Sequence, residues 1–179
     1  MEKLVIVPTY NERENIEAII DKVLGLPFGL DILIVDDNSP DGTAALVEAR
    51  MATEPRVHLI KRPGKMGLGS AYRDGFRYAL KHGAEFIFEM DADFSHDPAY
   101  LPRMLALAEE ADLVVGSRNV KAQEVPAVDG VSKVIAGDPH RVDSADMVRP
   151  ATVVLFTLPS GKGRLAGREG ADGSLLRLI

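Results

Sequence analysis

The stretch KLVIVPTYNERENIEAIIDKVLGL, residues 3–26, joins a short apolar run to a helical pattern. Residues 3–8 are rich in β-branched side chains, as in a buried strand. After a polar turn, apolar residues recur at the spacing of one helix face, at Ile16, Ile19, Ile20 and Val23. The stretch therefore predicts a strand followed by a helix, which is the repeating unit of α/β folds.

The same unit recurs along the chain. Further buried strands are predicted over residues 30–37, 56–60, 85–90 and 112–116, and a helical pattern follows each of the first three. Strands that alternate with helices predict a parallel sheet. We therefore expect residues 1–118 to form a Rossmann-like α/β domain, with an open, mostly parallel sheet and helices on both faces.

Composition restricts the class of protein. The 179 residues are 46% hydrophobic and 27% charged, which is typical of one globular core. Because the chain has no cysteine, oxygen or imidazole groups would have to bind any metal. The net charge of −6 argues against a nucleic-acid partner. No apolar run approaches the ~20 residues of a membrane span, so we expect a cytoplasmic protein, with peripheral contact to the membrane face left open.

Polar clusters follow four of the predicted strands. They read PTYNE, DDNSPDG, MDADFSH and GSR. In open α/β sheets, ligands bind beyond the carboxyl ends of the strands, at one edge of the sheet. We therefore expect these clusters to form one functional site.

The acidic cluster after the fourth strand has the spacing of a metal site. Asp91 and Asp93 are two positions apart, so their carboxylates point the same way in an extended segment. Two close carboxylates resist ionising together unless a cation neutralises them. Oxygen ligands suit Mg²⁺ or Mn²⁺ shared with substrate phosphates. The alternative is a loop of solvated acids, in which Asp97 caps the helix that Pro98 begins.

The other clusters offer groups that could bind a nucleotide. Asp37 ends the second strand, where an acid accepts hydrogen bonds from a ribose or base. Tyr10 offers a stacking surface and Glu12 an acceptor, although Glu12 could equally favour the first turn of a helix. Arg118 could pair bidentately with a diphosphate, or be solvated.

Five motifs occur in order: VIVPTYNERENI, ILIVDDNSPDGT, RPGKMGLGSAYRDGF, FEMDADFSHDP and DLVVGSR. Over residues 3–118 they resemble family 2 glycosyltransferases of the GT-A fold, and among these the polyprenol-phosphate (dolichol-phosphate) mannose synthases. The resemblance implies an inverting enzyme that moves mannose from GDP-mannose, or another nucleotide sugar, to a polyprenyl phosphate. It also implies Mg²⁺ or Mn²⁺ as cofactor.

The resemblance further implies roles for individual residues. Those lining the nucleotide pocket would be Pro8, Tyr10, Glu12, Val35 and Asp37. The metal and diphosphate site would contain Asp91, Ala92 and Asp93, with Ser95 beside the metal and Arg118 near the phosphates. Asp93 and Arg118 would carry catalysis. Because the acceptor is a phosphate monoester that is largely ionised at neutral pH, it needs little help from a general base.

Residues 119–179 depart from the resemblance. The family continues with a basic, aromatic segment and a T-G-G-F-R-like motif, whereas this segment has a single aromatic residue, Phe156. Residues 152–158 predict one more strand. A divergent tail, an incomplete acceptor region and a frame shift from about Asn119 stay open. Two alternative functions follow: a nucleotide-sugar-binding chain without full catalysis, and a related transferase with another donor such as UDP-glucose.

Overall fold

The computed structural model describes residues 1–108 and four strand segments, at 113–117, 123–125, 134–136 and 152–157. Its strands are β1 (Lys3–Thr9), β2 (Asp31–Asp36), β3 (Val57–Lys61), β4 (Phe86–Glu89), β5 (Leu113–Ser117), β6 (Gln123–Val125), β7 (Val134–Ala136) and β8 (Thr152–Thr157). Its helices are α1 (Ile16–Leu24), α2 (Thr43–Met51), α3 (Leu68–Lys81) and α4 (Leu101–Leu107), with a 3₁₀ turn over Pro98–Tyr100 just before α4.

The strands form one sheet in the order β3-β2-β1-β4-β8-β5-β7-β6. Strands β3, β2, β1 and β4 pair in parallel, as the alternating pattern predicts. The strand predicted over residues 152–158 is confirmed as β8, and it lies antiparallel between β4 and β5. The predicted α/β class, with a mostly parallel sheet, is therefore confirmed.

Two apolar clusters cover the two faces of the sheet. One contains the inward residues of α1, with others from α2 and α4, and the second contains those of α3. The helix α3 approaches β1 closely at Gly75, where an added Cβ atom would lie 2.6 Å from Cγ2 of Ile6. Glycine at this position therefore sets how near α3 lies to the sheet.

The predicted helix ends agree with the structure at two places. Asp97 caps the turn before α4, since its Oδ1 accepts a hydrogen bond from the Ala99 amide at 3.0 Å. Gly83 ends the helical pattern of residues 69–83, which predicts a helix stop there. In the structure, Gly83 follows α3 with φ +71°, and the amides of Gly83 and Ala84 donate to carbonyls of the last turn. Among the residues that the structure describes, none forms a helix long and apolar enough to cross a membrane.

Candidate functional site

Three loops meet at the carboxyl edge of the sheet, because β1, β2 and β4 are parallel neighbours. Each loop contains one non-glycine residue with positive φ: Asn11 at 63°, Asn38 at 59° and Phe94 at 59°. Such backbone is uncommon outside glycine, and it concentrates at functional sites. The edge predicted from the strand ends is therefore also where the backbone is most unusual.

A buried carboxylate joins the first two loops. Oδ1 of Asp36 accepts hydrogen bonds from the hydroxyls of Thr9 (2.9 Å) and Ser39 (2.6 Å), and the Ser39 hydroxyl also accepts from the Asn11 amide. The Ser39 hydroxyl thus makes its hydrogen bonds within the loops, and it does not cap α2, which begins only at Thr43. Ser39 followed by Pro40 has the sequence pattern of a helix cap. A capping role predicted from that pattern is wrong, because the Asp36 contact competes for the Ser39 hydroxyl.

Asp37 lies in a second network, built around a buried arginine. The guanidinium of Arg62 lies 3.1 Å from Oδ1 of Asp37 and 3.5 Å from Oδ2 of Asp74. The contact to Asp37 is an ion pair without aligned hydrogen-bond geometry. The amide of Met66 donates to the other oxygen of Asp37 at 3.1 Å, so the loop before α3 is fastened to the end of β2. Charged side chains this deeply buried need such partners.

Sequence reasoning missed Arg62. The residue stands in RPGKMGLGSAYRDG, a glycine-rich stretch whose sequence favours a flexible connection. Its partners lie at distant positions, so no local spacing predicts the pair. The signal that could have found it is charge compensation, because a buried Asp37 directly after a largely buried strand favours a cation nearby.

The other residues predicted to bind the nucleotide differ in how far their side chains are exposed. Tyr10 is exposed, and the ammonium group of Lys65 lies 4.3 Å from its ring centroid, a cation–π contact. Glu12 is half-buried, and its carboxylate accepts a hydrogen bond from the Asn15 amide group at 3.0 Å. Pro8 is also half-buried. Val35 is fully buried in the apolar cluster under α3, so its side chain does not reach the surface of the site.

Asp91 is held by two neighbours. The hydroxyl of Tyr72, from α3, donates to its Oδ1 at 3.2 Å. The backbone amide of Asp91 donates to Nδ1 of the buried His96 at 2.9 Å, so His96 supports the loop. Burial, together with the charge of Asp91, raises the pKa of Tyr72, so the phenol stays protonated and acts as the donor. Tyr72 was not among the predicted site residues.

Asp93 and Ser95 form a tight turn just beyond. The Ser95 amide donates to Oδ1 of Asp93 at 2.9 Å. Hydrogen bonds from the side chain and the amide of Ser95 lower the pKa of Asp93, which is exposed and therefore ionised near neutral pH. Ala92, which lies between the two aspartates in the sequence, is buried. Arg118 lies outside the described residues, directly after β5.

The arrangement suits a hard divalent cation that the protein would coordinate only in part. Among the described residues, no three acidic or histidine side chains form a ready metal cage. The available donors are two carboxylates and a hydroxyl, and oxygen atoms are what Mg²⁺ and Mn²⁺ prefer. Buried Oε1 of Glu89, two residues before Asp91, has no hydrogen-bond partner in the described structure. The residues therefore fit a cation that takes its remaining ligands from water and substrate phosphates.

The fold is of the doubly wound α/β class, in which ligands bind at the carboxyl edge of the strands. Residues 4–144 match the model of glycosyl transferase family 2. Because that match spans well over half of the chain, the chain belongs to this family.

Two relatives each match about two thirds of the chain. Undecaprenyl-phosphate mannosyltransferase of Micrococcus luteus is 47% identical over 67% of this chain and 49% of its own length. Polyprenol monophosphomannose synthase of Mycolicibacterium smegmatis is 50% identical over 65% of this chain and 45% of its own length. The chain thus spans about half the length of these curated relatives.

A solved structure supports the GT-A fold. The structure of S. aureus TarS in complex with UDP-GlcNAc aligns with a TM-score of 0.51 and 25% identity, over 71% of this chain and 37% of that chain. TarS without ligand aligns with a TM-score of 0.55 at 19% identity, over 88% of this chain and 47% of that chain, which bears on the fold alone.

Proposed function

We propose that this chain contains the donor site of a metal-dependent, inverting glycosyltransferase that moves mannose from GDP-mannose to a polyprenyl phosphate. One observation carries the proposal: Asp37 follows β2, and Asp91 and Asp93 follow β4, the two strands that flank β1, so all three lie at one sheet edge. Over about two thirds of the chain, the sequence is 47% and 50% identical to proteins named undecaprenyl-phosphate mannosyltransferase and polyprenol monophosphomannose synthase. That edge is where the fold class binds nucleotides.

In this proposal, the two halves of the edge bind different parts of the donor. Asp37, fixed by Arg62 and the Met66 amide, accepts hydrogen bonds from the nucleoside, and Tyr10 supplies an aromatic surface beside it. Pro8, Glu12 and the backbone at Val35 complete this half. Fixed acceptors favour one orientation of the donor, which is how positioning contributes to rate.

The second half binds the diphosphate and the metal. Asp91 and Asp93 would hold Mg²⁺ or Mn²⁺, with Ser95 beside it and Ala92 leaving room for the phosphates. When bound, a divalent cation neutralises negative charge on the departing nucleoside diphosphate. Arg118, which directly follows β5, would add a guanidinium on the phosphate side. Asp93 and Arg118 would thus act closest to the reacting centre.

The acceptor is proposed to reach this edge from a membrane surface. Met66, in the loop fastened to Asp37, and Leu68, the first residue of α3, are each 56% exposed, and Lys65 directly precedes Met66. Exposed apolar side chains next to a cation are what a peripheral contact with anionic lipid needs. A polyprenyl phosphate offers both features, an apolar chain and a charged headgroup.

Two other candidates stay in view for specific reasons. The first is a chain that binds nucleotide sugars without complete catalysis, because the chain spans only about half the length of its relatives. The second is a transferase with a uridine donor such as UDP-glucose, because TarS, which is 25% identical, was solved with UDP-GlcNAc. Donor binding separates the second of these from the main proposal.

The test is incubation of the chain with radiolabelled GDP-mannose, Mn²⁺ and a polyprenyl phosphate in vesicles. We expect label in the lipid phase, and at least a tenfold loss of it with excess EDTA, with Asp91→Asn or with Asp93→Asn. A Met66→Ser, Leu68→Ser double variant should lower transfer to the vesicle-borne acceptor and spare transfer to a short, soluble one.

Each contrary result has its own meaning. Metal-dependent binding of GDP-mannose without labelled lipid would favour the binding chain. A thermal shift with UDP-glucose that exceeds the shift with GDP-mannose would favour the other donor. Equal transfer with and without EDTA would overturn the metal role of Asp91 and Asp93.

A further inference from the structure

Tyr72 has one buried polar atom, and that atom points at the acidic cluster. The residue lies in the first half of α3 and is 8% exposed, with its ring in the apolar cluster between α3 and the sheet. Its hydroxyl donates to Oδ1 of Asp91 at 3.2 Å. A buried phenol without a partner would be unfavourable, so this contact fixes where the hydroxyl lies.

Asp91 is thereby anchored at two points. His96 accepts from its backbone amide, and Tyr72 donates to Oδ1. Oδ2 lies 3.9 Å from Nδ1 of His96, beyond hydrogen-bond distance. The anchors together fix the orientation of the carboxylate, and they leave Oδ2 as the oxygen for other partners.

We propose that Tyr72 is a positioning residue for Asp91, whose hydroxyl holds Oδ1 so that Oδ2 is presented to the divalent cation of the donor site. The inference rests on the proposed function, since it assumes that Asp91 binds a cation. It goes beyond that function because it assigns the pre-orientation of a metal ligand to a side chain from α3.

The packing of α3 explains why a tyrosine can do this. Gly75 lies one turn after Tyr72, on the same side of the helix, and lets the helix backbone approach Ile6 of β1. Since β1 and β4 are neighbouring strands, this close approach also sets the height of Tyr72 above the end of β4. The phenol then spans the distance from the helix to Asp91, which a shorter side chain would not.

The test compares Mn²⁺ affinity, not turnover. Tyr72→Phe keeps the ring and removes the hydroxyl, so Asp91 must order itself when the cation binds. We expect Mn²⁺ to bind about tenfold more weakly in the presence of GDP, a change in the range that a hydrogen bond to a charged group supplies. Electron paramagnetic resonance of free Mn²⁺ measures this affinity directly.

Two matched variants accompany it. Tyr78→Phe removes a hydroxyl from the same helix, where the ring stacks on His82 at 4.0 Å, and should change Mn²⁺ affinity less than twofold. Asp91→Asn tests the proposed function itself and should abolish the site. In Tyr72→Phe, the unfolding temperature without metal should stay close to that of the unaltered chain, while the rise on adding Mn²⁺ shrinks.

The outcomes separate the two proposals. If Asp91→Asn binds Mn²⁺ normally, the metal role of Asp91 is wrong. If Asp91→Asn abolishes binding but Tyr72→Phe stays within twofold of the unaltered chain, the positioning role of Tyr72 is wrong and the proposed function stands. If the phenylalanine variant does not fold, the unaltered chain with ¹³C-labelled tyrosine decides, because Mg²⁺ must shift the ring signal of Tyr72 and spare that of Tyr78. Absence of that shift overturns the inference.

Discussion

At the scale of single residues, the site contains a glutamate, Glu89, whose pKa is raised. Glu89 ends β4, and burial, reinforced by the charge of Asp91, raises its pKa to about 7. One of its oxygens is buried without a hydrogen-bond partner in the described residues. The cluster therefore carries less negative charge at neutral pH than its sequence indicates, which reduces repulsion around Asp91.

This shift predicts how stability depends on pH in the metal-free chain. The pKa of Glu89 is about 7 in the folded state, against 4.5 for an ordinary glutamate. The folded state therefore binds the proton more tightly, and the stabilisation is full below about 4.5 and lost as pH rises to about 7. Between pH 4.5 and 7.5, we expect the unaltered chain to lose about 1–3 kcal/mol of unfolding free energy relative to Glu89→Gln.

Urea unfolding in excess chelator, at several pH values, measures this difference. Glu85→Gln, just before β4 begins, is the matched control and should follow the unaltered chain. Parallel curves for the unaltered chain and Glu89→Gln would show that Glu89 titrates normally.

At the scale of elements, α3 and the loop before it organise the site. The loop fastens Asp37 through Arg62 and the Met66 amide, and the helix reaches Asp91 through Tyr72. One contiguous segment thus contacts both predicted halves of the donor site. The position of α3 relative to the sheet therefore matters for both.

Gly75→Ala tests that position. The new Cβ atom would lie 2.6 Å from Cγ2 of Ile6, so the helix must move outward or the sheet must adjust. We expect a loss of about 1–3 kcal/mol of unfolding free energy, as for other overpacked cores. Gly69→Ala, in the same helix with open space around it, should instead stabilise by about 0.5–1 kcal/mol.

Denaturant unfolding of both variants, and of Gly75→Ala combined with Ile6→Ala, gives the comparison. The double variant removes the atoms that clash, so its loss should be smaller than the sum of the single losses. Additive losses would mean that the close approach at Gly75 does not limit the packing of α3.

The parts of these elements that the sequence could predict are those governed by local rules. Strand and helix patterns, the Asp97 cap and the helix end at Gly83 all depend on neighbouring residues, and the structure confirms them. The edge that gathers Asp37 and Asp91 follows from the parallel order of the strands.

What the sequence could not predict depends on contacts between distant residues. The ion pair of Arg62 and Asp37 forms across two elements, and Tyr72 has the spacing of an ordinary core residue, which its ring also is. Ser39 matched a capping pattern, but the buried carboxylate of Asp36 competes for its hydroxyl. The metal, nucleotide and catalytic roles of the site residues, and the domain boundary after residue 118, stay predictions.

At the scale of the whole molecule, the last strand that the structure describes, β8, lies inside the sheet. The strand β8 comes from the segment whose sequence departs from the family resemblance, yet it pairs with β4 on one side and β5 on the other. The described strands β6, β7 and β8 thus contribute to the same sheet as the predicted site.

A proline in β8 tests this pairing. Leu155 pairs with Phe88 of β4 and Val114 of β5, so Leu155→Pro removes an amide from the interior of the sheet. We expect a loss of about 2 kcal/mol or more of unfolding free energy, since a ladder partner is left unsatisfied. Thr152→Pro, at the first residue of the strand, should cost much less.

Urea unfolding of the two proline variants checks the expectation. Equal stability of Leu155→Pro and the unaltered chain would mean that β8 contributes little to the sheet in solution.

The central place of β8 also has a consequence for biosynthesis. A ribosome releases β4 and β5 well before Thr152–Thr157, so the nascent chain holds a gap between two strands that already exist. Until the missing strand emerges, both borders of that gap expose unpaired amides and carbonyls, which attract other extended peptides. During synthesis, the backbone on both borders of the gap therefore stays open to other extended peptides until β8 has emerged and paired.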